Sequence, residues 1–93
     1  MAVGACFITL YLHGNDSLKG KRQVVSSIKA RVKNKFNIAI AEVAEQDNHR
    51  KIVLGIATVS ADRSFTAEAL EKAVRFIEEL HLAEFLDSKM EIY

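Results

Sequence analysis

Residues 3–13 alternate between two faces with a period of two. Cys6, Ile8, Leu10 and Leu12 share one face, and Phe7, Thr9, Tyr11 and His13 share the other. A period of two predicts a β-strand. The run Gly14-Asn15-Asp16-Ser17 is turn chemistry that ends in two candidate N-caps. From Leu18 the period changes. Leu18, Val25, Ile28, Val32 and Phe36 recur at about 100° per residue, predicting an amphipathic helix to about Lys35. Asn37 is placed to end that helix, because asparagine tolerates the left-handed conformation common at C-termini.

Two further apolar stretches, residues 38–45 and 51–59, flank the polar link Gln46-Asp47-Asn48-His49-Arg50. So short a link predicts an antiparallel hairpin. Ile52, Leu54, Ile56 and Thr58 fall on one side of its second strand; Val53, Gly55, Ala57 and Val59 fall on the other. A loop follows, then a second helix over residues 66–80 with Leu70, Ala73, Val74, Ile77 and Leu80 inward. Glu68/Lys72, Glu71/Arg75 and Arg75/Glu79 are spaced for ion pairs on its outer face. Residues 86–93 read as a last strand, with Leu86, Ser88, Met90 and Ile92 on one side.

The order is βαββαβ. Two helices on one face of a four-stranded antiparallel sheet satisfy it, which is the ferredoxin-like α+β architecture. Right-handed crossovers place the first and third strands at the centre. The second sheet face is then left bare, with either the Cys6 set or the Phe7/Tyr11 set on it, together with Val53, Ala57 and Val59. An apolar face of that size normally finds a partner, so a two-fold homodimer is expected.

Length allows one domain, spanning residues 1–93. No apolar run approaches the ~20 residues of a membrane span, and no membrane partner is expected. The N-terminal segment has no basic stretch ahead of an apolar one and reads as a strand, so a cytoplasmic protein is expected. One cysteine excludes an internal disulfide framework and a multi-thiolate zinc site. His13, His49 and His81 are scattered, Cys6 sits among strand residues, and no serine has an evident base. No catalytic constellation, metal site or cofactor is therefore expected.

Charge changes the picture more. Net charge is +1, yet residues 17–41 hold seven bases and no acid, whereas residues 42–93 hold six bases and eleven acids. The two halves could neutralise one another across the fold, or present a basic face to an anionic partner. On a helical wheel Lys19, Arg22, Lys29 and Lys33 occupy an arc of about 80° on one flank of the apolar stripe. Arg31 and Lys35 occupy the other flank. Lys21 falls inside the stripe, where a lysine must snorkel or meet a carboxylate. Glu42, an acid in an otherwise apolar strand, is the candidate partner in a buried polar pair.

Bases at Lys19, Lys21 and Arg22 crowd the positive end of a helix dipole, where free N–H groups favour anions. With Ser17 they form a candidate anion site for phosphate, from nucleic acid or a small ligand. An RNA-recognition motif would need aromatic residues on the central strands. Residues 51–59 contain none, and there is no GXXG loop. RNA would therefore be bound by the basic helix, chiefly at phosphates and with strong salt dependence.

Three blocks carry a family likeness: Ser17-Leu18-Lys19-Gly20-Lys21-Arg22; Lys35-Phe36-Asn37-Ile38-Ala39-Ile40-Ala41-Glu42-Val43 followed by Asp47; and Leu54-Gly55-Ile56-Ala57-Thr58-Val59-Ser60. The chain resembles the YlxP family of small bacterial proteins of unknown function, over nearly its whole length. The resemblance implies a ferredoxin-like fold, and gene neighbourhoods shared with translation factors imply work on RNA or the ribosome. It singles out Ser17, Lys19, Lys21, Arg22, Asn37, Glu42 and Asp47, and implies no catalytic residue. The family usually carries a tryptophan and a glutamine after Asp47, where this chain has His49 and Arg50.

Two functions are consistent with these readings. One is a ribosome- or structured-RNA-binding protein using Ser17, Lys19, Lys21, Arg22, Lys29 and Lys33. The other is a homodimeric regulatory or interaction module that binds a small anion or a protein. A third, an acylphosphatase-like enzyme, would need Arg22 and Asn37 to act together, without the glycine-rich cradle such chemistry uses.

Overall fold

The computed structural model describes residues 1–93. Its elements are β1 (Ala2–Tyr11), α1 (Leu18–Lys35), β2 (Ala39–Ala44), β3 (Lys51–Ser60), α2 (Arg63–Glu79) and β4 (Glu84–Ile92). The strands form one antiparallel sheet in the order β2-β3-β1-β4. This is the ferredoxin-like α+β fold, with the first and third strands central.

Register decides which face is buried. Cys6 pairs with Ile56, Ile8 with Leu54 and Leu10 with Ile52. All six are buried, and they meet Val25, Ile28 and Val32 of α1 and Leu70, Ala73 and Ile77 of α2. The period-two set of each central strand thus locks onto the period-3.6 stripe of each helix. Phe7, Tyr11, Val53, Gly55, Ala57 and Val59 take the opposite face.

The helix ends follow local chemistry. Ser17 caps α1, its Oγ accepting from the Gly20 N–H at 3.1 Å. Asp62 caps α2 by accepting from the Phe65 N–H at 2.9 Å. That cap starts α2 at Arg63, three residues before the apolar pattern alone marks it. Asn37 does not close α1 in a left-handed turn. The chain leaves the helix extended at Phe36, with φ −126° and ψ 147°, and runs straight into the buried Ile38 and, in β2, Ile40. Of the three spaced ion pairs on α2, only Glu68–Lys72 forms, at 3.1 Å.

The last strand departs most from its sequence pattern. It starts at Glu84 and carries a bulge: Leu10 faces Phe85, whereas Thr9 faces Asp87. Leu86 is the extra residue and is 48% exposed, while Phe85, Met90 and Ile92 pack on the core. One inserted residue reverses the side-chain faces beyond it. No helix is long and apolar enough to cross a membrane.

Candidate phosphate-binding face and its buried lysine

The sequence places Lys21 one helical turn after the Ser17 cap, on the stripe that faces the sheet. It is 1% exposed. Its ammonium donates to the Glu45 carbonyl at 2.6 Å and lies 2.9 Å from Glu42 Oε2. The Glu42 oxygen is buried without a well-aligned hydrogen bond, so its contact with Lys21 is chiefly charge on charge. Glu42 reaches this position because it follows Ile40 by two and so points to the helix side of β2. Lys21 and Glu42 are brought together as the sequence implies.

Glu45 adopts φ 57°, a left-handed turn at the start of the β2–β3 loop. Its carbonyl accepts from both Lys21 Nζ and the Asn48 N–H, the latter at 3.0 Å. Asn15 clamps the same loop from the other side. Its Nδ2 donates to the carbonyls of Ser17 and His49, at 2.7 and 2.6 Å. Arg50 donates to the Asn15 carbonyl at 3.1 Å and meets Asp16 at 3.2 Å. Gly20 makes room for this clamp, since a Cβ there would collide with Asn15 Oδ1. The β1–α1 loop and the β2–β3 loop form one polar unit at the start of α1. The residues after Asp47 are thus part of that unit, while Asp47 itself is exposed at the loop tip.

This geometry separates the bases of α1 into three groups. Lys21 points inward and is engaged by Glu42 and Glu45, so it does not join the solvent-facing bases as a candidate anion contact. Ser17 Oγ is likewise committed to the Gly20 N–H. Arg31 and Lys35 lie on the flank toward α2, where Lys35 Nζ sits 4.8 Å from the Phe76 ring centroid. Lys19, Arg22, Lys29 and Lys33 occupy the flank away from α2 and its carboxylates. Lys29 is half-buried along its stem and the other three are exposed. None of the four pairs with a carboxylate. A shallow depression lined by Lys19, Arg22, Gln23, Ser26 and Ser27 runs along this face.

Arg22 and Asn37 lie at opposite ends of α1, about 20 Å apart by helical rise. They cannot act on one phosphoryl group. Asn37 instead offers its carbonyl to Thr58 Oγ1 at 3.2 Å. No three His, Cys, Asp or Glu side chains gather where they could share a metal ion. The Cys6 thiol is pushed up from its ordinary value by burial, although a backbone hydrogen bond at Lys89 works the other way.

The fold is similar to that of a variant of SnoaB, a cofactor-independent oxygenase from Streptomyces nogalater, with TM-score 0.56, 11% identity, and 98% and 90% of the two chains covered. At that identity the likeness concerns the fold alone. Uncharacterized protein YlxP of Bacillus subtilis (strain 168) is 44% identical over 67 residues, which span 72% of this chain and 73% of that protein. Residues 3–90 match the family model described as protein of unknown function (DUF503). The chain therefore belongs to the DUF503 family, the family of YlxP, whose function is unknown.

Proposed function

We propose that this protein is a non-enzymatic RNA-binding protein, directed to the ribosome or to structured RNA, and that the outer flank of α1 is its phosphate-contacting surface. One observation carries the reading: Lys19, Arg22, Lys29 and Lys33 share a face, have no carboxylate partner and look away from the acidic helix. Unpaired cations on one small face create a local positive potential even when net charge is only +1. They span about 21 Å along the helix, enough to reach several phosphates of a folded RNA. Ser26 and Gln23 lie between them and supply neutral donors.

The sheet offers a poor alternative. In base-stacking sheets the central strands present aromatic rings. Here the outward positions of β3 are Val53, Gly55, Ala57 and Val59, and β1 contributes only Phe7 and Tyr11. Affinity would therefore come from counterion release rather than from base readout.

The test is co-sedimentation with ribosomes, and filter binding to ribosomal RNA, across a salt series. Four phosphate contacts predict a log–log salt slope of about −3. Lys29→Glu with Lys33→Glu should abolish binding while leaving the unfolding midpoint nearly unchanged. No binding at low salt, or binding insensitive to that double reversal, overturns the proposal.

A further inference from the structure

The sheet face opposite the helices carries a pattern that its own fold does not use. Strand pairing sets Ala41, Gly55, Phe7 and Lys89 in one row across β2, β3, β1 and β4. Phe7 is 54% exposed, and Val59, Val43 and Val3 are also exposed. Between Phe7 and Val43 lies an apolar depression of about 310 Å³, floored by Ala5, Ala41, Gly55 and Ala57. An exposed aromatic ring of the face thus stands beside a hole lined by its smallest residues. A cavity of about 150 Å³ already accommodates a benzene ring.

We infer that a second copy of this chain covers the face, packed sheet against sheet about a two-fold axis running roughly along the strands between β1 and β3. Such an axis carries β1 of one copy onto β3 of the other and keeps each row in register. Val43 leans over Gly55, so Phe7 of each copy enters the depression beside Val43 of the other, over Gly55 and Ala57. The same operation sets Ala5 over Ala57 and Val3 over Val59, each contact occurring twice. This is the reciprocity an isologous interface demands: residue i meets j, and j meets i. The register supplies it because Phe7 and Gly55 are direct cross-strand partners.

Charge selects this axis over its alternative. The outward residues of β4 are Asp87, Lys89 and Glu91, all exposed. A two-fold axis across the strands would stack β4 on β4, set Lys89 against its own copy, and drive Phe7 into Phe7. The axis along the strands instead lays β4 over the small residues of β2 at the rim, where charges keep their water. The outcome is an apolar centre with a polar border, the usual anatomy of a specific interface. Strands of 10, 6, 10 and 9 residues cover about 550 Å² per copy. The pair then buries about 1,100 Å², just above the roughly 1,000 Å² a specific interface should clear, with the charged ends of the β4 side chains reaching water at the edge. The surface is separate from the outer flank of α1, so the dimer presents two such flanks.

Sedimentation equilibrium from micromolar to millimolar protein should give twice the 10.4 kDa chain mass. Phe7→Glu should return the single-chain mass while far-UV circular dichroism stays unchanged, because Phe7 lies outside the core. Geometry is tested separately with a short bis-maleimide. Ala41→Cys with Lys89→Cys should cross-link to a covalent dimer, since these positions lie at opposite sides of one sheet and meet only between copies. Lys89→Cys alone should not cross-link. A single-chain mass for the unaltered protein at every concentration overturns the proposal. So does a dimer that survives Phe7→Glu, or one that cross-links through Lys89→Cys alone.

Discussion

The Lys21 ammonium is tied to the Glu45 carbonyl at 2.6 Å, across 24 positions of sequence. This bond joins the first turn of α1 to a left-handed residue in the β2–β3 loop, with Glu42 as counter-charge at 2.9 Å. Removing one member of a buried pair strands the other. Lys21→Met should therefore cost about 3 kcal/mol in urea unfolding. Lys21→Met combined with Glu42→Leu should recover much of that loss, because an apolar pair of similar volume carries no desolvation penalty. If the double variant is as unstable as the single one, the charge pair is not what the site depends on.

Gly20 gives a prediction whose sign opposes the general rule. In a helix, Gly→Ala ordinarily stabilises by about 1 kcal/mol. Here the new methyl would strike Asn15 Oδ1, and Asn15 holds the carbonyls of Ser17 and His49. Gly20→Ala should lower the thermal midpoint. Adding Asn15→Ala removes the obstacle, so Gly20→Ala introduced into that background should raise it. A rise in the unaltered background would mean that the clamp yields freely.

How far the sequence carries can be seen residue by residue. The central strands were legible because Cys6, Ile8 and Leu10 alternate against Ile52, Leu54 and Ile56, and period two permits only one buried set. Lys21 and Glu42 were legible as a pair because each violates an apolar pattern and a buried charge needs a partner. Leu86 was not legible as exposed. Its alternation with Met90 and Ile92 is sound, but a bulge forms between strands, and a single strand does not encode where its neighbour slips. Nor was the early start of α2, because the Asp62 cap precedes any apolar repeat. The Asn15 clamp was half visible. Turn chemistry at residues 14–17 is plain, whereas its contact with His49, 34 positions away, is a product of topology. The removal of Lys21 from the anion site follows from burial, which helical spacing had already indicated.

Cys6 ties stability to alkaline pH. Burial raises the thiol above its ordinary value of 9.0 in the folded chain, while in the unfolded chain it titrates normally. Below the ordinary thiol range both states keep the proton and pH has no effect through this group. As pH rises through that range the unfolded chain ionises first, and folding stability falls. The urea midpoint of the unaltered protein should therefore drop more between pH 7 and pH 10 than that of Cys6→Ala. Equal drops would show that the thiol is not desolvated. Alkylation of Cys6 at pH 8 should likewise be slower in the folded chain than in urea, in proportion to the population of the opened state.

Ser17 separates the architecture of α1 from its proposed surface chemistry. Its hydroxyl oxygen is occupied as the cap of the Gly20 N–H, so Ser17→Ala should cost about 1 kcal/mol of stability. RNA affinity at a temperature where the variant is folded should not change, because the proposed phosphate path follows the outer flank of α1 and does not cross the cap. Lys19→Ala with Arg22→Ala should do the reverse. Both side chains are exposed and unpaired, so the unfolding midpoint should move little. The salt slope of RNA binding should fall by roughly half, as two of four phosphate contacts disappear. A loss of affinity on Ser17→Ala matching that of the double variant would place the phosphate at the helix N-terminus instead of along its flank. The cap would then have to open for the ligand, and the outer face of α1 would no longer account for binding.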